Sequence, residues 1–173
     1  MKLDRRNAIL ASAAAVSLAA TPNANATPTP DAAKRNFTSV LRWGSIGVKA
    51  NQMQAIELAA KHGFESVAAS PNELAKLSDA ENDELLGQLK DKNLVWGSSG
   101  LPVDFRKDES RFKSDLATLP KLASAVRRAG LDRMGTWIMP CHDEMTYLAN
   151  FNQHATRLRE CAKILRDHGI RFG

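Results

Sequence analysis

Apolar residues recur along this chain in two alternating rhythms: short runs of the kind a strand makes, and longer stretches spaced by three and four residues as on one helix face. The strand-like runs are 40–48, with Trp43, Ile46 and Val48, then 64–69, 94–98, 131–140 and a short fifth from Ile170 to Gly173. Helices are predicted between them. Residues 52–62 place Met53, Ile56, Ala59 and Ala60 on one face, and 72–77 make one turn or two. Ser78-Asp-Ala-Glu81 is a capping box, in which hydroxyl and carboxylate satisfy each other's free backbone N–H groups, so a fresh helix starts there and buries Leu85, Leu86 and Leu89. Residues 108–128 are helical by period, with a kink or restart expected at Pro120. Residues 147–167 set Leu148, Phe151, Ala155, Leu158, Ala162 and Leu165 as an apolar stripe opposite Arg157, Glu160, Lys163 and Arg166.

The helix-to-strand joints repeat. Gly63, Asn93, Gly130 and Gly169 each end a helix and open a strand, at spacings of 30, 37 and 39 residues, the size of one βα unit. Strict alternation predicts a parallel sheet, which must be covered on both faces or closed into a barrel. The expected fold is α/β: a (β/α)8 TIM barrel truncated after about four βα units and the start of strand five, since a complete barrel needs about 250 residues. A flavodoxin-like sheet, acting as a small non-catalytic binding or interaction domain, is the alternative.

Residues 1–26 read as a secretory signal. A charged start with Arg5-Arg6, an apolar run over 8–20 and the Ala24-Asn-Ala26 cleavage site fit that pattern, with a twin-arginine signal as one route. The run is too short to span a bilayer, so the protein is expected in the periplasm or outside the cell, off the membrane after cleavage. Residues 27–39 read as a linker and 40–173 as the partial barrel. The net charge of +5 falls by two without the signal, and Lys and Arg alternate with Asp and Glu, which argues against nucleic acid as a partner. Cys141, at a strand end, and Cys161, about 14 residues into the next helix, stand roughly 21 Å apart along its axis. Both are expected free, because a bridge needs Cα atoms within about 7 Å.

Polar groups gather after the fourth strand, where parallel α/β proteins place their chemistry. His142-Asp-Glu144 reads as a substrate or metal contact, or equally as a polar loop opening a helix. Trp137, two residues inside that strand's end, is either an apolar wall for a ligand or core. Asp104 and Arg106 are candidate substrate contacts, and Gly97-Ser-Ser-Gly100 is a weak candidate for an anion nest. His62 and His168 read as helix C-caps, and His154 as a packing boundary. The residues name no catalytic group and no metal ligand.

"HGFESV", "KDKNLVWGSSG", "LPKLASAVRRAGLDRMGTWIMP" and "LRECAKILRDHGIRFG" in this order resemble the first half of the sugar phosphate isomerase/epimerase family, the xylose isomerase-like TIM barrels, over about residues 44–173. The resemblance implies a sugar or polyol substrate and a metal-assisted proton transfer with Mn or Mg, in which the metal ligands start at the end of strand five and so lie beyond Gly173. This chain alone is then expected to bind no metal, to be inactive and to be poorly soluble. Ala68-Ala69 departs from the acidic residue many relatives carry there. The barrel endonuclease branch is a further alternative, and it would need more histidines at strand ends than His142.

Overall fold

The computed structural model describes residues 36–173; the signal and most of the linker lie outside the described residues. Five strands form one parallel sheet: β1 (Val40–Leu41), β2 (Ser66–Ala69), β3 (Val95–Gly100), β4 (Arg133–Gly135) and β5 (Arg171–Phe172). Five helices alternate with them: α1 (Gln52–Lys61), α2 (Pro71–Leu74), α3 (Asp79–Asp91), α4 (Glu109–Arg128) and α5 (Tyr147–Asp167). None is long and apolar enough to cross a membrane.

The strand order is β1-β2-β3-β4-β5. That order corrects the flavodoxin-like alternative, which requires the order 2-1-3-4-5 and a switch point. The sheet is also curled. In a flat sheet β1 and β3 would stand about 9.5 Å apart, yet a methyl group placed on Gly97 of β3 would sit 2.6 Å from Cγ1 of Val40 on β1. The two strands lean together across β2, which is the curvature of an incipient barrel, and Gly97 is what lets Val40 into the concave side.

The helices cover the convex side. Ile56, Leu74, Leu85, Leu119, Val126 and Leu165 are buried there with Phe105 and Phe112. The predicted junctions hold, with Gly63, Asn93, Gly130 and Gly169 all at positive φ, between 52° and 86°. The Ser78 and Glu81 capping box is formed.

Several boundaries differ from expectation. The first strand ends at Leu41, because Gly44 and Gly47 turn the chain through a 3₁₀ segment at Trp43–Ile46 and leave Ile46 and Val48 exposed. Pro120 does not interrupt α4: it removes one backbone bond, and the buried Leu119 and Ala123 on either side hold the helix on the core. β3 stays extended through Gly100, so the glycine nest is not formed. The fourth strand is only three residues long, and Thr136 leaves it with its N–H bonded to the Gly173 carbonyl. On α5 the buried face is Asn150, His154, Arg157, Cys161 and Leu165, while Leu148 and Phe151 of the predicted stripe are 66% and 56% exposed.

Candidate functional site

A cavity of about 460 Å³ opens at the carboxyl ends of β1, β3 and β4. Arg42 enters it just after β1, Ser98 from β3, Arg106 from the loop between β3 and α4, and Thr136 and Trp137 just after β4. A smaller one of about 230 Å³ shares Arg42 and Ser98 with it and extends the mouth over Ala68, Ala69 and Ser70 at the end of β2. There the Gln52 side chain donates to the Ala68 carbonyl at 3.0 Å and accepts from the Ser70 N–H at 2.8 Å, pinning α1 to the strand end. A larger cavity of about 710 Å³ lies at the opposite, amino ends of β3, β4 and β5, beside Trp96 and Asp132. Barrels do their chemistry at the carboxyl ends, so the smaller mouth is the candidate site.

The two arginines are held differently. Arg42 is exposed and donates from Nη2 to the Ser98 hydroxyl at 2.8 Å. Arg106 is stacked, its guanidinium carbon 4.2 Å from the Phe105 ring centroid and 4.0 Å from that of Trp137. Its Nη2 donates to the Thr136 hydroxyl at 3.4 Å and to the Trp137 carbonyl. Its Nε is buried without a partner.

The loop that carries Arg106 is anchored from α5. Arg157 is 6% exposed and donates from Nη1 to the carbonyls of Phe105 at 2.9 Å and Lys107 at 2.6 Å, and from Nη2 to Glu109 at 2.8 Å. This corrects the expectation that Arg157 faces solvent. Three acceptors around one guanidinium compensate for its burial. That hydrogen bond, followed by the one from Lys113, holds the Glu109 carboxyl below its usual value. His154 packs edge-on against Phe105 with ring centroids 5.0 Å apart, and neither ring nitrogen has a partner. Burial, then the charges of Arg106, Arg157 and His142, push its pKa down.

Of the residues singled out from sequence, Trp137 and Arg106 line the mouth. Trp137 does so from outside the strand, 62% exposed, and not as the strand residue expected. Asp104 stands beside Arg106, its Oδ1 4.0 Å from Nη1. His142 and Glu144 sit on the exposed loop before α5, where the Glu144 N–H donates to His142 Nδ1 at 3.0 Å, and neither lines the mouth. Cys141 is exposed and free; Cys161 is buried, and burial pushes its thiol up to about 11. Arg42 and Thr136 were missed. Strands read as too long concealed both, whereas a residue just past a strand end is where a barrel site is looked for.

The mouth offers no metal site. Its lining carries two guanidinium groups and no carboxylate, and among the described residues no three of His, Cys, Asp and Glu gather to hold an ion. A Mn or Mg centre, which wants several oxygen ligands, does not fit these residues.

No protein-family model and no curated protein matches the chain. Solved structures do. A xylose isomerase domain protein from Alicyclobacillus acidocaldarius is 25% identical with a TM-score of 0.58, over 72% of this chain and 45% of that one. A D-psicose 3-epimerase from Clostridium cellulolyticum H10, solved with D-tagatose, is 20% identical with a TM-score of 0.54, over 72% and 46%. The IOLI protein, solved with a bound zinc atom, is 16% identical with a TM-score of 0.56, again over 72% and 46%. The fold is therefore that of the xylose isomerase-like TIM barrels, as the sequence implied, and the chain spans about half the length of the structures it matches.

Proposed function

We propose that this chain is the amino-terminal half of an exported sugar or polyol isomerase/epimerase barrel, and that it supplies the wall that binds and orients the substrate. The observation that carries this reading is the polar mouth at the carboxyl ends of β1, β3 and β4, in a sheet shared with sugar isomerases and epimerases. Trp137 offers an apolar face for a sugar ring, while Arg42, Ser98, Arg106 and Thr136 offer hydrogen bonds to its oxygens. The acid–base carboxylates and the metal come from the other half, since the mouth fits neither role. Exposed apolar residues support a missing half, because several cluster beside the edge strand β1 and in the connection between β4 and β5. Ile46 and Val48 lie beside β1, and Trp137, Ile138, Met139, Tyr147, Leu148 and Phe151 lie beside β4 and on α5.

The chain is incubated with D-fructose and Mn²⁺ in D₂O while binding and exchange of the sugar C–H protons are followed by NMR. Saturable binding without exchange is expected. Exchange catalysed by these 173 residues alone overturns the half-barrel reading, and the absence of saturable sugar binding overturns the sugar reading. Export is tested by sequencing the amino terminus of the protein recovered outside the cytoplasm, which is expected to begin at Thr27; a cytoplasmic protein that retains the signal contradicts it.

A further inference from the structure

We propose that the notch between α5 and the connection after β4 binds a small neutral aromatic alcohol, a phenol, at a site separate from the sugar mouth.

The notch encloses about 300 Å³ between residues 138–140 on one side and Tyr147, Phe151 and Leu158 of α5 on the other. It shares no lining residue with the mouth. Tyr147 and Phe151, one helical turn apart, stack with ring centroids 6.4 Å apart and 25° between their planes, and both are more than half exposed. Paired aromatic faces at the rim suit a ligand that carries a ring of its own. Apolar walls with a few polar groups set among them are the usual make-up of a small-molecule site.

The polar groups are Asn150 and His154, which line the notch at only 2% and 5% exposure. The Asn150 amide donates from Nδ2 to the carbonyls of Met139 at 3.1 Å and Pro140 at 3.4 Å, which fixes the way the amide faces and leaves its buried Oδ1 without a donor. Both ring nitrogens of His154 are unpartnered too. Unpaired buried groups are rare and costly, and a partner that reaches them recovers that cost. Asn150 Oδ1 only accepts, whereas a neutral imidazole has one N–H and one lone pair. Four residues apart on α5, the two side chains are neighbours on one helix face. One hydroxyl meets both needs, donating to Asn150 Oδ1 and accepting from the His154 N–H. No bond holds the imidazole, so it turns toward that hydroxyl without breaking one.

Charge disfavours the other ring-bearing ligands. Burial and the charges of Arg106 and Arg157 hold His154 neutral, so an amine seated here would add a third cation to that neighbourhood. A carboxylate would be buried against apolar walls and the Asn150 oxygen, with one N–H to compensate it. A neutral O–H avoids both penalties.

The test is two-dimensional NMR of the full chain titrated with p-cresol and with toluene, which lacks the hydroxyl, in wild type, His154→Phe and Ala155→Phe. p-Cresol is expected to bind saturably and at least about tenfold more tightly than toluene, shifting the amides of Phe151, His154 and Ala155. His154→Phe should bring the two ligands to near parity while toluene still binds, which shows that the notch persists. Ala155→Phe, which puts a ring into the notch from a half-buried position and leaves the polar pair in place, should abolish binding of both. Toluene binding as tightly as p-cresol in wild type overturns the proposal, as does a preference that His154→Phe leaves unchanged or p-cresol binding retained in Ala155→Phe. Displacement of p-cresol by D-fructose, or shifts centred on Thr136 and Trp137, puts the ligand in the mouth and also overturns it. Failure of both probes to bind overturns it and leaves this apolar face to the completing half of the barrel. None of these outcomes touches the sugar reading, which the D-fructose experiment tests separately.

Discussion

Replacing Arg157 with alanine probes the link between the fold and the mouth. The guanidinium donates to two backbone carbonyls, the buried one of Phe105 at 2.9 Å and that of Lys107 at 2.6 Å. It also lies 4.7 Å from the Phe112 ring centroid. A buried acceptor stripped of its donor costs about 1–3 kcal/mol. Phe105 loses its donor in the dry, while Lys107, nearer solvent, recovers part of its bond from water. The Glu109 contact is open to solvent and contributes little. The expected loss is about 3 kcal/mol, a large share of the roughly 5–15 kcal/mol by which domains are stable. Urea unfolding followed by circular dichroism measures it as a lower midpoint at an unchanged slope. Arg157→Met, which keeps the packed stem, should recover part of the loss. A loss below about 0.5 kcal/mol in Arg157→Ala would refute the anchor and leave the position of Arg106 unexplained.

Three further outcomes are expected. His154 is held neutral by burial and by neighbouring cations, so its folded pKa lies below the unfolded value of about 6.5. Its contribution is complete above that value and is lost as the pH falls through the folded pKa; stability should drop as the pH falls below about 6.5, and His154→Gln should flatten that slope, which urea titrations at several pH values check. Cys141 is exposed and Cys161 is buried with its thiol pushed up to about 11, so at pH 8 a thiol reagent should label one cysteine rapidly and the second only on unfolding; two fast thiols contradict the burial. Gly97→Ala places a methyl 2.6 Å from Val40 Cγ1 and should cost about 1–2 kcal/mol in urea unfolding, with Val40→Ala in the same chain relieving it; no cost means the sheet is flatter than described.

The helices were legible because each carries its own punctuation. The capping box at Ser78 and Glu81, and the positive-φ joints at Gly63, Asn93, Gly130 and Gly169, are local signals that tertiary structure did not override. Strand ends were not legible, since from Met134 to Pro140 only Thr136 is polar while strand β4 stops at Gly135. That run leaves the sheet and exposes Trp137, Ile138 and Met139, and nothing in their hydrophobicity marks the departure. The rotated face of α5 was hidden for a related reason. Periodicity locates an apolar stripe without saying what it packs on, and Arg157 is buried because the loop carbonyls of Phe105 and Lys107 supply acceptors some fifty residues away. The site suffered most from this, because Arg42 and Thr136 belong to it only through where β1 and β4 end.

The three tryptophans allow the most direct test that ligand binds at the carboxyl ends. Trp137 lines the mouth, Trp43 lies at the neighbouring end of β2 with its indole N–H on the Ala50 carbonyl at 3.0 Å, and Trp96 lies at the far end with its own on Ala129 at 2.8 Å. The indole N–H signals, assigned with Trp137→Phe and Trp96→Phe, are followed by NMR as D-fructose is added. A saturable shift of Trp137 with Trp96 unmoved is the predicted result. A shift confined to Trp96 would place binding in the larger cavity at the amino ends and contradict the account.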